Sequence, residues 1–174
     1  LSTPPNVIPA CLHWLTMLRT HVQGRLDDLR TSGSSDAASE MEEKARESFQ
    51  ALWRKKHKKE DHPDRRNVDA CAVPLMIVAN KWDSIKDESH PLARDRLGRA
   101  ALGPVLRSLA HQHGASLVFT SSKDKTLNKQ FRSLLSFTLF HKLDKAMRTE
   151  KSPDKAIYVP RGADTFDELL SAGP

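Results

Sequence analysis

The sequence predicts an α/β fold, the C-terminal part of a doubly wound parallel sheet with flanking helices. Two short continuous apolar runs, residues 73–79 and 116–120, have the length and composition of strands buried on both faces of a parallel sheet. Each run is followed by a polar turn and then by a stretch with apolar residues at helical spacing. Strands that alternate with helices in this way favour a parallel, doubly wound arrangement.

The elements follow in order. Residues 6–30 read as a helix, with Leu15, Leu18, Val22, Leu26 and Leu29 on one face. Pro9 is tolerable only in the first turn, so the regular part is expected from about Ile8. Thr31-Ser32-Gly33-Ser34-Ser35 ends the helix. Residues 36–56 form a second, more polar helix. Met41, Ala45, Phe49 and Trp53, spaced by four, give it a narrow apolar stripe. The stripe is read as packing on its own domain, with a partner helix as the alternative. Residues 54–66 are basic and then mixed in charge, and they read as a solvated loop, because like charges in a row resist packing. A nucleic-acid or membrane patch is the sharper reading of that run, but it lacks interleaved aromatics for base stacking.

After the first strand, residues 91–112 are expected to be helical. Leu92, Leu97, Ala101, Leu102, Val105, Leu106 and Leu109 supply the apolar face, and Gly103-Pro104 predicts a kink or break. Gly114 is a helix stop. Residues 124–143 read as a further helix carrying Leu127, Phe131, Leu134, Leu135, Thr138, Leu139 and Leu143. The tail is irregular, with an extended apolar piece at 156–160, and is read as a strap along the surface or towards a partner. The chain therefore divides into a helix (1–32), a charged and partly disordered insertion (33–72), the core of the domain (73–146) and an extended tail (147–174). Two central strands do not make a stable sheet, so the missing strands are expected upstream of Leu1.

Composition narrows the class. A chain of 174 residues can bury one core, and 38% hydrophobic with 29% charged residues is a soluble mixture. No apolar run approaches the ~20 residues that span a bilayer, so no membrane segment is expected. The chain opens without a basic and apolar leader and without Met, so the natural start is expected upstream. Cys11 and Cys71 have no CxxC or Cys/His ligand spacing and are read as buried thiols in a reducing, cytoplasmic compartment. The net charge of +6 allows nucleic acid, acidic lipid or tubulin as partners but demands none.

Two motifs carry chemistry. Asn80-Lys81-Trp82-Asp83 follows the first strand and precedes a helix, at the carboxyl end where doubly wound sheets bind ligands. It resembles the NKxD motif of Ras-like GTPases. The resemblance implies that the Asp83 carboxylate accepts two guanine donors, that the Lys81 stem covers the ring, and that Asn80 ties the loop in place. Two donors side by side suit a two-oxygen acceptor. The second strand ends in Thr120-Ser121-Ser122-Lys123, similar to the TSAK motif of that family, with Ser122 in the usual Ala place. Asn80, Lys81, Asp83, Ser121, Ser122 and Lys123 are therefore the candidate guanine contacts, with GTP or GDP as the implied ligand. The two motifs also admit a plainer reading as ordinary polar strand-end turns.

Other motifs are missing or misplaced. No GxxxxGK[ST] occurs, so the chain has no phosphate cradle and no P-loop Ser/Thr for Mg²⁺. Asp95-Arg96-Leu97-Gly98 spells DxxG but falls within the expected helix and after NKxD, so it is set aside. His111 and His113 are two residues apart, not the three or four that share a helix face. They are read as helix-end caps rather than metal ligands. No catalytic residue and no metal site is proposed from spacing.

A closer resemblance covers residues 73 to about 170. The stretch 106–121, with Gly114-Ala115-Ser116-Leu117-Val118-Phe119-Thr120-Ser121, resembles the helix-to-strand region of dynein light intermediate chains. So do the strand and loop at 73–83 and the tail Ile157-Tyr158-Val159-Pro160-Arg161-Gly162-Ala163-Asp164-Thr165-Phe166, which is nearest the ciliary (dynein-2, intraflagellar transport) branch. The resemblance implies a Ras-like domain used as a non-catalytic scaffold on the dynein-2 heavy-chain tail, supporting retrograde intraflagellar transport beside the other dynein-2 subunits. It implies a place in the cytoplasm, cytoskeleton and cilium, including axoneme and basal body. The alternative is a GTPase whose phosphate-binding half lies upstream. A nucleic-acid-binding module built on 54–66 is the third reading and is set aside.

Overall fold

The structure, a computed structural model, describes residues 4–86, 90, 94–140 and 149–171. Its elements are α1 (Pro4–Thr31), α2 (Ser35–Lys56), β1 (Met76–Ala79), a 3₁₀ turn (Trp82–Lys86), α3 (Arg96–Gln112), β2 (Ser116–Phe119), α4 (Lys125–Phe140), β3 (Tyr158–Val159) and α5 (Phe166–Ser171).

The three strands form one sheet in the order β1-β2-β3. β1 runs parallel to β2, with Met76 opposite Ser116 and Ala79 opposite Phe119. β3 is antiparallel to β2, with Leu117 opposite Val159 and Val118 opposite Tyr158. The expected parallel α/β unit is present, but the sheet as a whole is mixed, because the tail supplies its third strand. The tail is not a surface strap. Ile157, Tyr158 and Val159 are buried, as are Arg161 and Asp164.

Side chains alternate across a strand, so the two faces of the sheet face different helices. Leu117, Phe119, Ala79 and Val159 pack with Leu102, Leu106 and Ala110 of α3, and Val7, Ile8 and Cys11 of α1 close the same cluster. On the opposite face, Val118 and Tyr158 pack with Leu134 and Phe137 of α4, joined by Phe131 and Met76. The result is three layers, with helices on both faces of the sheet. β2 is buried throughout, as expected of a central strand. β1 is shorter than the apolar run, Val78 is 44% exposed and only Ala79 is buried, so β1 is less covered than β2.

The helices depart from the sequence in instructive ways. α1 is helical from Pro4 and continues through Pro9, which forfeits a single backbone bond near the helix start. α3 runs unbroken through Gly103-Pro104. Of its expected apolar face, Leu102 and Leu106 are buried, but Leu97 is exposed and Leu92 lies outside the described residues. The DxxG segment is not interior to the helix: Asp95 is the N-cap, and its carboxylate accepts the Gly98 N–H at 2.8 Å. Asp124 caps α4 in the same way, accepting from Thr126 and Leu127. Leu127, Leu134, Phe137 and Thr138 form the buried face of α4, whereas Leu135 and Leu139 are exposed and Leu143 lies outside the described residues.

α2 packs on its own domain through Ala38, Ala45 and Phe49. The charged run that follows is exposed at most positions, as expected of a solvated loop, but His62 and Asp64 turn inward and are buried. Cys71 is buried and Cys11 half-buried, and burial pushes the Cys11 thiol pKa up. Among the described residues, no helix is long and apolar enough to cross a membrane.

Candidate functional site

β1 and β2 are parallel neighbours, so their carboxyl ends lie side by side and bring the two motif loops together. Trp82 is the anchor of the first loop. It is buried, its ring lies 5.2 Å from that of Phe119, and its backbone N–H donates to the Thr120 carbonyl at 2.9 Å. Lys81 takes the left-handed conformation, φ +64°, at the turn out of the strand. Asn80 Oδ1 accepts the Lys81 N–H at 2.7 Å and the Thr120 hydroxyl at 3.2 Å, so its side chain ties the loop to the neighbouring strand end.

The second tie involves Asp83. Ser121 donates its hydroxyl to Asp83 Oδ1 at 2.6 Å, and the same hydroxyl oxygen accepts the Lys123 N–H at 3.2 Å. Lys123 Nζ lies 3.1 Å from Asp83 Oδ2. The Ser121 hydrogen bond, then the Lys123 one, hold the Asp83 carboxyl below its usual range, so it is an ionised acceptor at neutral pH. A carboxylate offers about four lone-pair sites, so these two partners leave acceptor capacity over. Lys123 is well exposed, and such an ion pair yields readily to another ligand. Of the six candidate residues, Asn80, Asp83, Ser121 and Lys123 join one network, and Lys81 and Ser122 are exposed beside it. Thr120, which the sequence offered only as part of a motif, joins the loops alongside Ser121.

A second polar network lies buried between α2, α3 and the tail. Arg107 of α3 makes a two-pronged ion pair with Asp164, Nε to Oδ2 at 3.0 Å and Nη2 to Oδ1 at 2.7 Å, and Lys151 adds a third contact at 2.9 Å. Burial alone would raise the Asp164 pKa, but the hydrogen bonds from Arg107 and Lys151 outweigh it and hold the carboxyl below its usual range. His62 Nε2 meets the Asp164 carbonyl at 2.9 Å, and His62 Nδ1 meets the Asp64 N–H at 3.1 Å. A carbonyl only accepts and an N–H only donates, so His62 is the neutral tautomer with its proton on Nε2. Asp64 Oδ2 accepts the Phe166 N–H at 2.8 Å at the start of α5 and lies 2.9 Å from His111 Nε2. His111 is therefore not a helix-end cap. It points into the domain, whereas His113 is the C-cap residue of α3, as expected, and its Nδ1 lies 3.4 Å from Arg19 Nη1.

The His62 tautomer has a consequence for pH. Burial lowers its pKa below the ordinary 6.5. A group whose pKa is lower folded than unfolded contributes stability that is present above pH 6.5 and lost as pH falls through the folded value. Below it, Nδ1 gains a proton and faces the Asp64 N–H, donor against donor. We expect the urea midpoint to fall between pH 7.5 and pH 5.5, with a shallower fall in His62→Gln. Equal slopes in the two proteins would remove His62 as the cause.

Fold and loops together define an α/β domain with helices on both faces of a small mixed sheet and two interlocked loops at its carboxyl edge. No family model matches the chain. It is 30% identical over 172 residues to cytoplasmic dynein 2 light intermediate chain 1 of Homo sapiens, across 98% of this chain and 44% of that protein. It is 34% identical over 133 residues to the protein of that name from Danio rerio, across 76% of this chain and 35% of that one. The Rattus norvegicus protein is 29% identical across 98% of the chain. The chain thus spans less than half the length of the curated relatives it matches. These relatives support its identity as a dynein-2 light intermediate chain.

Proposed function

We propose that the chain is the C-terminal part of a Ras-like domain in a non-catalytic light intermediate chain, which binds the dynein-2 heavy-chain tail and stabilises it for retrograde intraflagellar transport. The observation that carries this reading is the likeness to dynein 2 light intermediate chains along nearly the whole chain. The fold is compatible with it. Two parallel strands joined by a helix carry their loops at one edge, and β1 is an outer strand whose far edge has no partner among the described residues. An open edge next to the apolar residues Trp14, Leu18 and Val78 is where further strands of a doubly wound sheet would add. The cytoskeleton and cilium, with axoneme and basal body, are the proposed locations.

Affinity purification of the tagged full-length protein at moderate salt tests the proposal. A dynein heavy chain should be recovered at near-stoichiometric level. Its absence under mild salt, with the protein monomeric, would overturn the scaffold reading.

The second reading is guanine-nucleotide binding at Asn80, Lys81, Asp83, Ser121, Ser122 and Lys123. The ionised Asp83 carboxylate, held by Ser121 beside the sheet edge, favours it. Fluorescent GDP titrated into the full-length protein should bind, and Asp83→Ala should weaken it by about tenfold or more, since hydrogen bonds to a charged group are worth about 1.5–3 kcal/mol. Equal binding by the variant would exclude this site. An upstream GxxxxGK[ST] would be needed for hydrolysis.

A further inference from the structure

We propose that His62, Asp64 and His111 form a site for a divalent transition-metal ion of the zinc class, which fastens the loop after α2 and the tail to α3. One donor atom from each of the three residues lies within 4.8 Å of the others, and among the described residues this is the one such cluster of metal-ligating side chains. Two imidazoles and a carboxylate suit zinc and its neighbours, whereas calcium and magnesium prefer oxygen alone.

Closing the site requires a local adjustment, since the donor atoms are bounded only to within 4.8 Å of one another. With bonds of ~2.0–2.2 Å to a tetrahedral ion, donor atoms sit roughly 3.3–3.6 Å apart. His111 Nε2 and Asp64 Oδ2 are already 2.9 Å apart and need only part slightly. His62 has the orientation of a supported ligand. Its Nε2–H donates to the Asp164 carbonyl, which fixes the ring and leaves Nδ1 on the side of Asp64. The ion takes the Nδ1 lone pair from the Asp64 N–H and the Nε2 lone pair of His111, whose proton then sits on Nδ1. Asp64 ligates as the carboxylate and keeps the Phe166 N–H. A water or the second Asp64 oxygen completes four-coordination.

The two imidazoles are buried against aromatic rings. His62 and His111 are 1% and 3% exposed, and the Phe49 ring lies 4.6 Å from one and 5.7 Å from the other. Phe166 stands edge-on to His111 at 4.7 Å. Ligands held in this way lose little freedom on binding, and an ion that binds only the folded chain raises its stability.

The test is a Co²⁺ and Zn²⁺ titration of the chelator-treated full-length protein, followed by visible absorption and calorimetry. One Co²⁺ should bind with the d–d bands of a tetrahedral nitrogen–oxygen site and no thiolate charge-transfer band. Zn²⁺ should displace it, and one equivalent of Zn²⁺ should raise Tm. Asp64→Asn keeps an acceptor for the Phe166 N–H, so it should remain folded and bind at least tenfold more weakly. His13→Ala and His21→Ala, both on the exposed side of α1, should bind as the parent does. A thiolate band, unchanged binding in folded Asp64→Asn, or binding without any rise in Tm would overturn the proposal. So would no binding at all, which would leave the cluster as a hydrogen-bonded network.

Discussion

Replacing Asp164 with alanine is expected to destabilise the protein by about 3–5 kcal/mol, the cost of breaking a buried ion pair from one side. Arg107 is 4% exposed, so the variant leaves a buried guanidinium without its carboxylate. The reverse change, Arg107→Met, should cost less. Asp164 keeps Lys151 at 2.9 Å, and a carboxyl that loses a partner can also take up a proton. Lys151 is partly exposed and in contact with Glu168 as well, so it can turn to water when Asp164 is lost. The double variant should recover part of the Asp164→Ala loss, because the uncompensated charge has gone. Urea unfolding of the three variants measures this order. An Asp164→Ala loss under ~1 kcal/mol, or a larger loss in Arg107→Met, would mean that the pair does not hold the tail.

The contrast between the two polar networks explains what the sequence could reveal. Asn80-Lys81-Trp82-Asp83 and Thr120-Ser121-Ser122-Lys123 are contiguous strings at the ends of two apolar runs. Their meeting follows once those runs are parallel neighbours. The tail network has no such string. His111 and Asp64 are 47 residues apart, Arg107 and Asp164 57, and His62 and Asp164 102. A charged run is ordinarily solvated, and nothing local sets His62 and Asp64 apart from Lys58, Lys59 or Arg66, which stay exposed. The same limit applies to the strands. β2 reads directly because it is buried on both faces, whereas β3 is two residues long and defined by its non-local pairing with β2. Leucine spacing gave α3 and α4 their helical period. It could not say how much of each face the sheet would cover, so Leu97 and Leu139 were expected inside and lie outside.

Gly162→Ala is expected to cost about 2–5 kcal/mol, and the size of the effect decides whether α2 belongs to the domain or is an appended insertion. Gly162 has φ +68°, a conformation that costs an L-residue about 1–2 kcal/mol. A Cβ there would also run into the Phe49 backbone carbonyl of α2, well inside van der Waals contact. A carbonyl in the middle of a helix cannot swing aside as a side chain can, so the tail or α2 must shift, at an overpacking cost of about 1–3 kcal/mol. Gly33, in the turn between α1 and α2, separates the two contributions. It has φ +86° and no atom within 4 Å of an added Cβ. Gly33→Ala should therefore carry only the conformational cost. Urea midpoints for the two variants, with unchanged m-values, give the packing contribution as their difference. If Gly162→Ala costs no more than Gly33→Ala, α2 is free to move away from the tail. If it costs clearly more, α2 and the tail are locked together. Phe49, His62 and His111 then meet in a shared core whose loss would be felt in β3 as well.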